Sequence, residues 1–252
     1  MKILIIGPSG SGKTHALRTL NPETTVIICC DEKDLPFKGW SNMYKKVIVD
    51  GKPDKLKSNF FKVSLPARVL EVLNMINKDM PHIKVCVLDT ITMMMIVDYM
   101  SRITDTGFQK FNDIAANTYN ILKTIDKVRE DLHIIVNAHQ EMNYDESGAK
   151  NIRFKVPAGK LVGEKLEIEA MFTTVLYSNA VSVDGITEYF FETHTNGMNT
   201  CKSPEGMFPE SKIPNDMKYV LQCVTAYSKG ENAPPLPTTA KKAETATKQE
   251  EE

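Results

Sequence analysis

The sequence predicts an α/β fold built on a mostly parallel central sheet flanked by helices, and three observations carry that prediction. Short apolar runs of strand length alternate with longer stretches of helical period, in the order β-α-β and then α-β-α-α-β. The strand-like runs, Thr25-Val26-Ile27-Ile28-Cys29-Cys30 and Ile83-Lys84-Val85-Cys86-Val87-Leu88 among them, are apolar almost throughout, as strands covered on both faces must be. Strands connected through helices come out parallel, because the crossover that returns the chain to the same sheet is right-handed.

Taken in order, Lys2-Ile3-Leu4-Ile5-Ile6 is a buried strand that runs into Gly7-Pro8-Ser9-Gly10-Ser11-Gly12-Lys13-Thr14, and His15-Ala16-Leu17-Arg18-Thr19-Leu20 then reads as the first turns of a helix. The Thr25 strand ends in Asp31-Glu32-Lys33-Asp34. Pro36, Gly39 and Trp40 mark irregular chain, Lys46 to Val49 a short strand, and Lys52 to Phe61 a surface connection. A helix starts after Ser64 with Pro66 in its first turn, and Leu65, Val69, Leu70, Val72, Leu73 and Ile76 form its apolar stripe. The Ile83 strand ends at Asp89-Thr90. Helices over Ile91 to Ile103 and Phe108 to Asp131 follow, and then a strand from Leu132 to Val136 closing in Asn137-Ala138-His139-Gln140. Asn143 to Lys160 is polar, and Leu161 to Ala170 is read as a short helix. Phe172 to Tyr177 and Thr187 to Glu192 are strands joined through an Asp184-Gly185 turn, a C-terminal antiparallel extension of the sheet. Met217 to Tyr227 is apolar enough for a last helix or strand, and its periodicity does not choose between them.

Two units are expected: a folded domain over residues 1–227 and a disordered tail over 228–252. The tail is rich in Pro, Thr, Ala, Lys and Glu and ends in Glu250-Glu251-Glu252, so it offers too little apolar surface to offset its ordering entropy. The 252 residues are 42% hydrophobic and 25% charged, as in an ordinary globular chain. The formal net charge is −1, so a grip on nucleic acid must come from a local patch. The N-terminal apolar run is too short for a secretory signal, and Ile91 to Val97, bounded by Asp89 and Asp98, is too short to span a bilayer, so no membrane partner is expected. Five cysteines without a C-x-x-C pair read as reduced, buried filler, which points to the cytoplasm.

The residues that carry chemistry sit at the strand ends. Gly7 to Thr14 reads G-x-x-x-x-G-K-T between a strand and a helix, the context that identifies a phosphate-binding loop. Its glycines let backbone N–H groups of Gly7, Pro8, Ser9, Gly10, Ser11 and Gly12 (save the proline) curl around phosphate oxygens, with a helix N-terminus behind them. Lys13 would reach the β- and γ-phosphates of ATP and the Thr14 hydroxyl would hold Mg²⁺. Asp89, an acid after four apolar residues, is placed to hold the same Mg²⁺ through water. Glu32 is the candidate base that activates water for hydrolysis, with Asp31 and Asp34 as competitors. His139 is placed to sense the γ-phosphate, although a lone histidine is also at home in a purely structural role. Between Lys150 and Lys165 five basic residues face Glu164 alone. Lys150, Arg153, Lys155 and Lys160 around Phe154 form a candidate contact for single-stranded DNA, by phosphate pairing and stacking; a solvated charged loop is the plainer alternative.

With these motifs in place, the chain resembles a RecA-type ATPase core, through the Gly7–Thr14 loop, the strand ending Cys30-Asp31-Glu32-Lys33-Asp34-Leu35, Asp89-Thr90 and the strand closing in Ala138-His139. It resembles the phage-encoded RecA-like ATP-binding proteins associated with single-strand annealing recombination, where Val156-Pro157-Ala158-Gly159-Lys160 also finds a counterpart. The resemblance covers roughly residues 1–225 and implies an ATP-driven assembly on DNA in phage recombination or replication, in the host cytoplasm. It further implies a homo-oligomer with nucleotide at its subunit interfaces, and a basic residue supplied in trans, for which Lys202 is the candidate. The tail would dock a replication or recombination partner or simply solubilise the chain. A helicase loader, another ring-forming motor and a non-catalytic nucleotide-dependent scaffold share these features. A small-molecule kinase is disfavoured because the five arginines form no lid-like pair, and a GTPase because Asn-Lys-x-Asp does not occur.

Overall fold

A strand turns successive side chains to opposite faces, and here both sets are apolar. In β1 (Lys2–Gly7), Leu4 and Ile6 join one core while Ile3 and Ile5 join the other. The same division runs through β2 (Thr25–Cys29), where Val26 and Ile28 face one side and Ile27 and Cys29 the other. The sheet is therefore buried twice. In the computed structural model, which describes residues 1–144, 148, 150–157 and 167–237, these strands form the centre of a nine-stranded sheet.

Its remaining members are β5 (Phe60–Lys62), β6 (Val85–Asp89), β7 (His133–Tyr144), β8 (Lys150–Phe154), β9 (Thr174–Val183), β10 (Ile186–Glu192) and β11 (Lys212–Pro214). The order is β11-β10-β9-β1-β7-β6-β2-β5, with β8 paired to the far end of β7. From β9 to β5 every pairing is parallel, and β10 and β11 add the antiparallel edge. The short hairpin of β3 (Val47–Val49) and β4 (Lys52–Asp54) stands apart.

One face of the sheet is covered by α2 (Pro66–Asp79), α3 (Ile91–Ser101) and α4 (Gln109–Ile125), which pack on one another. Pro66 opens α2, where its missing N–H costs nothing, and Thr90 caps α3 by accepting from the Met93 N–H at 3.3 Å. The other face is covered by α1 (Trp40–Met43), a 3₁₀ turn over His15–Thr19 and α5 (Met217–Ser228).

The α/β class, the parallel sheet and the antiparallel C-terminal extension are as the sequence predicts. The differences have local causes. The helix expected after Thr14 is a single 3₁₀ turn, stopped by Asn21-Pro22, since a residue before proline is pushed out of the helical region. The supposed connection from Lys52 to Phe61 holds β4 and the first residues of edge strand β5. The polar stretch after His139 is strand, because β7 runs on and folds back against β8. The Met217 segment is a helix whose Asp216 carboxylate accepts from the Tyr219 N–H at 3.0 Å. Beyond Ser228 the chain stays on the domain for a further stretch: Ala233 and Leu236 pack against the core and the Pro234 carbonyl accepts from the Tyr219 hydroxyl. Apolar contact thus reaches past the expected boundary at 227. Residues 238–252, with the acidic end, lie outside the described residues, as do Lys160 and most of the helix expected from Leu161.

Candidate functional site

Parallel strands bring their C-terminal ends to one edge of the sheet, and register fixes who meets whom there. Gly7 pairs with His139, and Cys29 with Asp89. The loop that leaves β1 is shaped by close approach. A Cβ on Gly7 would sit 2.5 Å from the Ser178 carbonyl oxygen, and one on Gly12 2.7 Å from the Tyr189 ring. Gly12 also holds φ 96°, a conformation that other residues adopt only under strain.

Lys13 is 5% exposed and folded onto its own loop, its ammonium donating to the carbonyls of Gly7 (2.8 Å) and Pro8 (2.7 Å). Burial pushes its pKa down to about 8, opposed by the nearby charges of Asp89 and Asp31. The Thr14 hydroxyl donates to one Asp89 oxygen at 2.8 Å, and the Asn137 amide to the other at 2.9 Å. Burial raises the Asp89 pKa, and those two hydrogen bonds hold it back. A half-buried hydroxyl and a buried carboxylate side by side are hard oxygen donors, a set that fits Mg²⁺ bound through one or two protein oxygens plus phosphates and water. Among the described residues no group of three or more His, Cys, Asp and Glu side chains gathers as a metal cage.

Residues Ser9 to His15, Asp31, Lys33, Asp34, Asp89, Thr90, His139 and Tyr189 enclose a cavity of about 460 Å³. Asp31 accepts from the Thr90 hydroxyl at 3.1 Å and pairs with Lys33 at 3.0 Å. Half-buried His139 is driven towards its neutral form by burial and by the Lys13 charge.

Glu32 does not line this cavity. It sits at φ 55°, which turns its exposed side chain outward, and its carboxylate accepts from the Ser64 hydroxyl at 2.6 Å. The structure thus corrects the expectation that Glu32 faces the phosphate loop; both of its competitors, Asp31 and Asp34, line the cavity. Phe154 is a second correction. It is 1% exposed, within the core that also holds Val136 and Tyr177, and has no face to offer a base. Lys150 is half-buried, while Arg153 and Lys155 are exposed; Lys150 and Arg153 lie on β8 and Lys155 follows it, its N–H donating to the His139 carbonyl at 2.8 Å. Lys202 is exposed and bridges Val175, level with Leu4 in the middle of the sheet and short of its phosphate edge.

Two contributors, Tyr189 and Asn215, have no local sequence signal. Tyr189 of β10 lies against His15 with ring centroids 5.1 Å apart. Asn215 donates to the Gly12 carbonyl at 3.2 Å, and Arg18 donates to the Asn215 carbonyl at 3.0 Å. They reach the loop only because β9 pairs with β1 and carries β10 and β11 with it.

A glycine-rich loop at the end of the first parallel strand, with its lysine buried and its threonine bonded to the acid of a neighbouring strand, defines a P-loop nucleotide-binding domain. Residues 1–204 match the model of the family described as AAA domain (AAA_24), and the chain belongs to that family. Among solved structures it is similar to a KaiC-like protein from the hyperthermophilic archaeon Pyrococcus horikoshii OT3, at 12% identity over 84% of this chain and 83% of that one, with a TM-score of 0.44. It is also similar to the flagellar accessory protein FlaH of Methanocaldococcus jannaschii, again at 12% identity over 84% and 83%, with a TM-score of 0.42. No curated protein matches the chain. Among the described residues no helix is long and apolar enough to cross a membrane.

Proposed function

We propose that the protein binds ATP with Mg²⁺ in the cavity at the sheet edge, hydrolyses it, and couples hydrolysis to work on single-stranded DNA in phage recombination or replication. The observation that carries the reading is the convergence of Lys13, Thr14, Asp89, Asp31 and His139 on one cavity. Lys13 leaves the Gly7 and Pro8 carbonyls for the β- and γ-phosphates, which compensate its charge better than neutral carbonyls do. Thr14 and Asp89 would hold Mg²⁺, which would neutralise charge developing on the phosphates. Asp31 orients the attacking water and takes its proton, a role its place on the cavity wall supports over Glu32. His139 bonds the γ-phosphate, and its direct link to Lys155 gives loss of that phosphate a route to the β7–β8 hairpin. Arg153 and Lys155, exposed beside that hairpin, supply phosphate contacts for DNA. The subunits assemble as a homo-oligomer with nucleotide between them, Lys202 acting in trans, and the acidic tail engages a replication or recombination partner.

Steady-state phosphate release with and without single-stranded DNA tests the reading. Turnover dependent on Mg²⁺ and stimulated by DNA is expected. The enzyme reading fails if neither condition gives turnover, and the DNA reading fails if DNA neither binds nor changes the rate.

A further inference from the structure

On the edge of the sheet away from β10, the chain between Lys38 and Lys62 carries seven lysines against two aspartates, a larger local excess than that of the 150–165 segment. It folds around a second cavity, of about 580 Å³, between α1, the β3–β4 hairpin and β5, the outermost strand. The wall is aromatic: half-buried Trp40 meets Phe60 edge-on with ring centroids 5.5 Å apart, while Phe61, next along β5, turns to the opposite face and packs against the core under α2. Lys45, Lys46, Lys55 and Lys62 stand around it. Lys55 pairs with Glu71 at 2.9 Å and Lys62 with Asp34 at 2.8 Å, whereas Lys45 and Lys46 have no acidic partner among the described residues.

We propose that this cleft is a site where single-stranded nucleic acid binds, a base stacking on Trp40 while Lys45 and Lys46 take the flanking phosphates. The proposal rests on the DNA reading above and gives it a place. Ammonium groups around an aromatic slot match a phosphodiester chain with unpaired bases: phosphates satisfy the rim, and only a flat π-surface satisfies the rings. A duplex keeps its base faces stacked and has none to insert. An acidic peptide would answer the lysines and leave the rings unmatched. The 150–165 segment lacks this pairing, since its one aromatic, Phe154, is buried. One surface ion pair links the cleft to the nucleotide cavity: Asp34 lines that cavity and holds Lys62 on the rim of this one at 2.8 Å. A change at the γ-phosphate that moves Asp34 thereby frees or recaptures a lysine for DNA.

Trp40 is the chain's single tryptophan, so its emission reports on this cleft alone. Labelled oligothymidylate titrated into the full chain with ATP and Mg²⁺ should quench Trp40 along the same curve as its own anisotropy rises. Exposed Lys45 and Lys46, changed together to glutamate, should weaken binding at least about tenfold and flatten the log–log salt dependence by about 1.4, two single-strand contacts' worth. An unchanged thermal midpoint shows that the variant folds. Trp40→Ala, followed by anisotropy, should weaken binding about five- to hundredfold, as loss of one base stack does. Binding by anisotropy with unaltered emission and an unaffected lysine variant overturns the cleft and leaves the DNA reading standing. No anisotropy change at any salt overturns both. Equal quenching by polyglutamate, or the same change on concentrating the protein alone, overturns the proposal in favour of an acidic peptide or a second copy.

Discussion

Nucleotide binding should draw a proton onto Lys13 at mildly alkaline pH. Without nucleotide the ammonium is buried among carbonyls, with its pKa at about 8 instead of 10.5. Triphosphate oxygens reverse that environment, because an adjacent anion favours the charged lysine. If the bound value returns to 10.5 or above, the uptake equals the neutral fraction of the free protein. That is about a tenth of a proton at pH 7, about half at pH 8 and about nine-tenths at pH 9. Isothermal titration of a non-hydrolysable ATP analogue in buffers of differing ionisation heat measures this number as a slope. The slope should rise in that order, and affinity should fall about tenfold per pH unit above 8. In Lys13→Arg the guanidinium stays charged, so the slope should vanish over the same range. A flat slope at pH 9 in the wild type, or an equal slope in the arginine variant, refutes the buried-ammonium account. The same shift acts on folding. Between about pH 8 and 10.5 the unfolded chain holds the extra proton, so Lys13's contribution to stability rises with pH through that window, by about 3 kcal/mol in all.

Asp31→Asn should keep nucleotide affinity and lower turnover at least about a hundredfold, whereas Glu32→Gln should stay near wild type; single-turnover hydrolysis decides, and the reverse result returns the base to Glu32. Gly12→Ala forces a Cβ to within 2.7 Å of Tyr189 at φ 96°, and chemical denaturation should show a loss of at least about 1 kcal/mol along with weakened ATP binding. Phe154→Ala should cost about 3–5 kcal/mol by the same measurement, as a core cavity does, where a DNA-stacking residue would leave stability alone. All five thiols are buried, and burial raises Cys86 and Cys201 to about 12, so a disulfide reagent at pH 8 should label none of the five until denaturant is added. Since the folded state holds those two thiol protons longer, stability should fall as pH rises past 9, by about 1.4 kcal/mol per thiol at pH 10.

What was legible in the sequence is what local chemistry determines. Buried parallel strands must be apolar on both faces, so β1, β2, β6 and the first half of β7 announce themselves. The loop is legible because its glycines answer to backbone geometry, and Asp89 because a lone acid ends an apolar run. The face a side chain takes after a strand ends is less legible. Asp31 and Glu32 are adjacent acids, and a single left-handed residue at 32 decides that only the first meets the cavity. Edge strand β5 was hidden among lysines because an edge needs apolar residues on one side only. Phe154 was misjudged because basic neighbours conceal the alternation of β8, which sends Phe154 inward and Arg153 out.

The least legible feature changes how the site itself is understood. The family match ends at residue 204, yet the phosphate loop is held from beyond that point and from the strands just before it. Ser178 donates to the Ser11 carbonyl at 2.7 Å, Asn215 bonds the Gly12 carbonyl, and Tyr189 fills the space that a side chain on Gly12 would need. A 3₁₀ turn of five residues cannot brace the loop as a long helix would. Its Ala16 and Leu17 are instead buried in the core shared with Met217, Val220 and Val224 of α5. The loop's shape therefore depends on contacts nearly the whole chain apart. Any force that shifts β10 or α5 acts directly on Gly12 and Ser11, so the C-terminal extension belongs to the nucleotide site as much as the motif does.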